Sequence, residues 1–72
     1  MFSARLEVEY LNEKYKLALP ESENYDTLGG LVMDVHESIP ERNEEIEIDR
    51  FRFLVKEVSD NKIITMRIFI ND

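Results

Sequence analysis

The apolar positions of this chain keep a helical period in its first half and an alternating one in its second. Leu28, Leu31, Val32 and Val35 recur at i, i+3, i+4 and i+7, the spacing that lines one side of a helix, while Asp34 and Glu37 fall off the stripe. Asp26, or Asn24 before it, is the expected N-cap, because either side chain can accept from an orphan N–H at the helix start. Pro40 draws Ile39 away from helical backbone, so this helix is predicted to stop near Glu37 or Ser38. Upstream, Leu6, Val8, Leu11 and Tyr15 stand at helical spacing among Glu9, Asn12, Glu13, Lys14 and Lys16. They predict a short amphipathic helix that leaves through Leu17, Leu19 and Pro20. Glu7 is a poor N-cap and about nine residues is short for a helix standing alone, so packing must hold it.

After Pro40 the run Glu41-Arg42-Asn43-Glu44 reads as a turn, and the period becomes two. Ile46 and Ile48 face one way against Glu45, Glu47 and Asp49; Phe51, Phe53 and Val55 repeat the pattern against Arg50, Arg52, Leu54 and Lys56. A hairpin turning near Asp49-Arg50 joins the two runs and sets an acidic outward row across from a basic one. Ser59-Asp60-Asn61-Lys62 forms a second turn into residues 63–70, where Ile64, Met66, Ile68 and Ile70 share one face and Ile63, Thr65, Arg67 and Phe69 the other. That strand is apolar on much of both sides, so it is either central or covered. The predicted fold class is α+β: two short helices packed on one face of a small antiparallel sheet, a C-terminal three-stranded meander with room for an N-terminal strand through Phe2. The helix stripe is expected to meet Ile46, Ile48, Phe51, Phe53, Val55 and Ile68.

Composition narrows the function classes. At 72 residues there is one small domain, and 43% hydrophobic with 35% charged residues is a globular balance rather than a disordered one. The absence of cysteine excludes a disulfide framework and a thiolate metal site. A net charge of −7 repels a phosphate backbone, so no nucleic-acid partner is expected. No apolar run approaches the ~20 residues that cross a bilayer, and the first residues lack the basic and apolar regions of a signal peptide. By itself the fragment is expected to be soluble, without direct membrane insertion.

Tyr25-Asp26-Thr27-Leu28-Gly29-Gly30-Leu31-Val32, then Ile39-Pro40, Glu45-Ile46-Glu47-Ile48-Asp49, Phe51-Arg52-Phe53 and Met66-Arg67-Ile68 follow one another in an order and spacing that resembles the CorC/HlyC transporter-associated domain. The likeness covers nearly the whole chain. That family favours glycine where this chain has Ala4, Lys16, Glu37, Asn43 and Arg50, which places caps or tight turns there and leaves Arg50 strained in a two-residue hairpin. The resemblance implies a C-terminal module of hemolysins and magnesium and cobalt efflux proteins. Such a module follows transmembrane and CBS domains on the cytoplasmic side of the bacterial inner membrane, modulates ion transport and has no catalytic residues. It also implies likeness to part of certain FAD-binding domains, from which FAD or nucleotide binding follows by fold analogy alone.

The residues themselves offer little chemistry. His36, the one histidine, sits near a helix C-terminus, where a structural or solvated role is expected ahead of a ligand or switch role. Glu41, Glu44, Glu45, Glu47 and Asp49 lie on a turn and an alternating strand, with no loop geometry to gather them around a cation, and are read as a solvated acidic face. Gly29-Gly30 costs ~1 kcal/mol of helix propensity per residue, so something should approach that backbone. With neither a G-x-G-x-x-G nor a Walker pattern present, close helix-to-sheet packing is expected rather than a phosphate cradle. No catalytic or metal-ligating residue is assigned. Met33, Ile63, Phe69 and Ile70 exceed the apolar surface that two short helices cover, and mark a candidate interface, homodimeric in isolation or interdomain in a longer protein.

Overall fold

Both helices and all three meander strands form where the periodicity places them, in a computed structural model that describes residues 1–70. In chain order the elements are β1 (Phe2–Ser3), α1 (Val8–Tyr15), α2 (Leu28–His36), β2 (Glu45–Ile48), β3 (Phe51–Val58) and β4 (Ile63–Ile70). The sheet runs β1-β4-β3-β2 with every neighbour antiparallel, so the fold is α+β and the N-terminal strand is present.

The register fixes the two faces. Ile46, Phe53 and Ile68 form one row across the sheet, Ile48, Phe51 and Ile70 a second, and Val55, Met66 and Phe2 a third. Helical Val8, Leu11, Leu28, Leu31 and Val32 are buried with Ile46, Ile48, Phe51, Phe53, Val55 and Met66 of these rows in a single core. The opposite face carries Glu45, Leu54 and Arg67 in one row and Glu47, Arg52 and Phe69 in another, so acidic β2 does lie against basic Arg52. Arg52 Nε, itself shielded from solvent, lies 3.1 Å from Glu45 Oε1 without making a hydrogen bond, and the two side chains are otherwise largely exposed, so the pair is worth little.

Strand β4 is central only in part. β1 covers Thr65 and Met66, and beyond them β4 is an edge. Nor does it keep strict alternation: pairing steps from Val55↔Met66 to Glu57↔Thr65, passing over Lys56, and then to Val58↔Ile63, passing over Ile64. These irregularities turn Ile63 inward, 3% exposed, and Ile64 outward, 38% exposed, which corrects the expected face of both residues.

Three further expectations need correction. The N-cap of α2 is Thr27, whose Oγ1 accepts from Gly30 N–H at 3.1 Å, not Asp26 or Asn24. The chain is held extended through Thr27 by its bridge to Glu7, and the Asp26 carbonyl accepts from Val8 N–H at 2.9 Å, so the helix cannot start earlier. Val35 is 47% exposed although its angle, at about 100° per residue, lies within the stripe. In the Asp49-Arg50 hairpin the positive φ, 55°, falls on Asp49 alone, so Arg50 escapes the strain that a turn with both residues left-handed would impose.

Left-handed backbone does occur at three of the positions where the resemblance points to glycine. Lys16 (φ 55°) ends α1, Glu37 (φ 66°) ends α2, and Asn43 (φ 68°) lies in the turn before β2. Glu7, the N-cap of α1, contributes no side-chain hydrogen bond. The connection between the helices is pinned instead from the middle of α1. Asn12 donates to the Leu19 carbonyl at 3.0 Å and accepts from Leu19 N–H at 2.9 Å, and Tyr25 Oη donates to the Pro20 carbonyl at 2.7 Å.

Candidate functional site

The start of α2 is the first place to seek a ligand, because a helix N-terminus exposes N–H groups that an anion can fill. Here each donor is taken. Leu28 N–H donates to the Leu6 carbonyl at 2.9 Å, Gly29 N–H to the Ala4 carbonyl at 2.9 Å, Gly30 N–H to Thr27 Oγ1 at 3.1 Å, and Leu31 N–H to the Thr27 carbonyl at 2.9 Å. The two glycines exist for this contact. A Cβ on Gly29 would stand 3.0 Å from Ala4 Cβ, and one on Gly30 would stand 2.9 Å from Tyr25 Cβ. Close packing is the outcome, as expected, but against the segment after β1 and Tyr25, two residues before the cap, rather than against the sheet.

Beside this contact lies a shallow concavity of about 380 Å³ formed by Ala4, Gly29, Gly30, Met33 and Ile63, with Arg5 and Lys62 at its lip. Met33 is half-buried there. Ile63 belongs to the core and is only 3% exposed. Phe69 and Ile70 are exposed by 36% and 47% at the far end of β4, so the four candidate interface residues fall into two places. Phe69 lies on the outer face with the Arg52 guanidinium 4.9 Å from its ring centre, and Ile70 on the inner face at the end of a core row.

His36 joins the end of α2 to the turn before β2. Its Nε2 lies 2.5 Å from Glu44 Oε2 and its Nδ1 2.9 Å from Ser38 Oγ, while Glu44 Oε1 accepts from Glu41 N–H at 2.9 Å. That backbone donor first, and then His36, hold the Glu44 carboxyl below its ordinary range. The histidine has a structural place. Glu41, Glu45, Glu47 and Asp49 are exposed, and among the described residues no three His, Asp or Glu side chains gather as a metal site would need.

A second concavity, about 160 Å³, is lined by Glu7, Val8, Glu9, Glu21, Ser22, Tyr25 and Asp26. The sequence reading did not assemble it. Its acids come from the start of α1 and from the helix connection, segments that the Glu7–Thr27 bridge and the Asn12 hydrogen bond to Glu21 bring together. Burial, the largest influence, raises the Tyr25 phenol above its usual value, and Oη donates to the Pro20 carbonyl. No helix of the described residues is long and apolar enough to cross a membrane.

Comparison with known proteins gives a consistent result. A family model described as a transporter associated domain, CorC_HlyC, matches residues 1–72. The magnesium and cobalt efflux protein CorC of Pasteurella multocida is 32% identical over 69 residues, which cover 96% of this chain and 23% of that protein. A conserved protein of unknown function from Haemophilus influenzae has a crystal structure that superposes with a TM-score of 0.87 at 26% identity, covering 96% of this chain and 84% of that one. A CorC-associated region of a Mg2+ and Co2+ transporter from Neisseria meningitidis superposes with a TM-score of 0.86 at 28% identity and the same coverage.

Proposed function

Because the chain belongs to the CorC_HlyC transporter associated domain family, we propose that it is a non-catalytic regulatory module that modulates ion transport by contacts with other protein domains. The chain spans less than a quarter of the curated relative's length. In this reading the chain is the C-terminal domain of a longer membrane protein, faces the cytoplasm of a bacterium, and works against CBS and transmembrane domains of the same polypeptide. The observation that carries it is the family match over residues 1–72. The saturated helix start agrees with it, since the N–H donors of its first turn are spent on the protein's own carbonyls and the Thr27 hydroxyl. A chimera tests it: the Pasteurella multocida efflux protein is deprived of its matching segment and given this chain instead. The chimera is expected to recover the cation efflux that truncation alters; efflux identical to that of the truncated protein overturns the proposal.

The second reading, a sensor of FAD or a nucleotide, has one feature in its favour, the apolar hollow by Met33 with Arg5 and Lys62 at its lip. Titration of the 72-residue chain with FAD and with ATP, followed by calorimetry, separates the two. No saturable heat is expected. Saturable micromolar binding that is lost on Lys62→Glu would establish the sensor.

A further inference from the structure

The four last residues of β4 have a neighbour on one side only. Arg67, Ile68, Phe69 and Ile70 pair with Leu54, Phe53, Arg52 and Phe51 of β3, while β1 reaches no farther than Met66. The Ile64 carbonyl accepts from Ala4 N–H at 2.9 Å, so it points to the β1 side. Alternation along the strand turns the main-chain groups of Met66, Ile68 and Ile70 the same way. Met66 faces Phe2, whereas Ile68 and Ile70 present N–H and C=O to no strand among the described residues.

Sheet edges of this kind are normally guarded by charge. The β2 edge is: Glu45 and Glu47 are exposed along it and Asp49 follows, so two such edges repel one another. The open part of β4 has a charge only at its start, the exposed Arg67. From Ile68 through Ile70 it carries no charge, and burial falls along both core rows as they reach it, from Phe53 at 0% and Phe51 at 1% to half-buried Ile68 and exposed Ile70.

We infer that this edge binds the same edge of a second copy of the chain, antiparallel across a two-fold axis perpendicular to the sheet. The register follows from which groups are free. Centring the pair on Phe69 sets Ile68 opposite Ile70 of the second copy on the inner face, and each of these two pairs exchanges two main-chain hydrogen bonds. Phe69 then meets its own counterpart on the outer face, in the close pairing where side chains interact most strongly. Centring on Ile68 would set Met66 against Ile70, and Met66 is already taken by Phe2. In the Phe69 register no two like charges fall opposite among residues 68–70, and the two sheets become one of eight strands.

The inference deepens the reading of the domain as a protein-contact module by naming one contact and its partner. So short an interface belongs with weak, transient complexes, and the net charge of −7 on each copy opposes it at low salt. Analytical ultracentrifugation of the 72-residue chain is therefore expected to show a monomer–dimer equilibrium at high concentration that tightens as salt is raised. Ile70→Pro removes an N–H that points away from β3, so folding survives while dimerisation weakens by about tenfold or more. Phe69→Glu, at an exposed position, sets two carboxylates face to face and is expected to act in the same direction. In a mixed isotope-labelled sample, an Hα–Hα contact between Phe69 residues of different copies identifies the register. A chain that stays monomeric at the highest concentration, or a dimer that Phe69→Glu leaves intact, overturns the inference. The efflux chimera does not depend on self-association, so failure of one proposal is distinct from failure of the other.

Discussion

Glu37 closes α2 with its backbone at φ 66°, a conformation that costs a side-chain-bearing residue roughly 1–2 kcal/mol and glycine nothing. Glycine in the wrong place has the opposite cost. Gly30 sits where an added Cβ would lie 2.9 Å from Tyr25 Cβ and 3.2 Å from the capping Thr27 Oγ1. The ~1 kcal/mol that alanine returns in helix propensity is then outweighed by overpacking of about 1–3 kcal/mol and a disturbed cap. Two thermal melts check the pair: Glu37→Gly is expected to raise the melting temperature by about 4–8 °C, and Gly30→Ala to lower it. The sequence displayed the puzzle of the double glycine and its answer in kind, a close approach. It did not display the neighbour, because Ala4 comes to Gly29 by a long-range contact that no local spacing encodes. Thr27 escaped as the cap for a similar reason. Asn24, Asp26 and Thr27 are all competent, and a backbone bridge to Glu7 decides among them.

At the scale of elements, periodicity located both helices and every meander strand, and failed where an element departs from its ideal. Pairing passes over Lys56 and Ile64, and no alternation rule can survive an unpaired residue on each of two neighbouring strands. Hence Ile63 read as surface and is core. Val35 read as core and is surface. The four candidate interface residues accordingly do not form one patch: Phe69 and Ile70 are exposed at the end of β4, and Met33 and Ile63 line a separate hollow. The link from α2 to β2 depends on Glu44, held between Glu41 N–H and His36. Its carboxyl lies below the ordinary value of 4.5 in the folded chain, chiefly through the Glu41 N–H. The stabilisation is therefore complete above that value and is lost as pH falls through the lower, folded one. Melting temperatures measured down an acid series are expected to fall more steeply for the native chain than for Glu44→Gln, and equal slopes would remove Glu44 from the account of acid stability.

For the whole molecule the dominant fact is charge on a small body. Sixteen acidic residues against nine basic ones spread over extents of 31 × 26 × 19 Å. At low salt the screening length of about 30 Å spans the particle, so every carboxylate feels the others; at physiological salt it shrinks to about 8 Å. The domain's melting temperature is expected to climb between those conditions, and a fall would mean that attractive pairs outweigh the net repulsion. Fold class and strand order along the meander were legible because binary pattern decides them, and β1 was the least legible element, being two residues long. Those two residues and the few after them matter beyond their number. The carbonyls of Ala4 and Leu6 receive the opening donors of α2, and Ala4 N–H ties to Ile64. Anyone excising or grafting this unit therefore has little freedom at its amino end: a cut placed just before α1, though it would spare both helices and the meander, would strip away the rivets that seat one on the other.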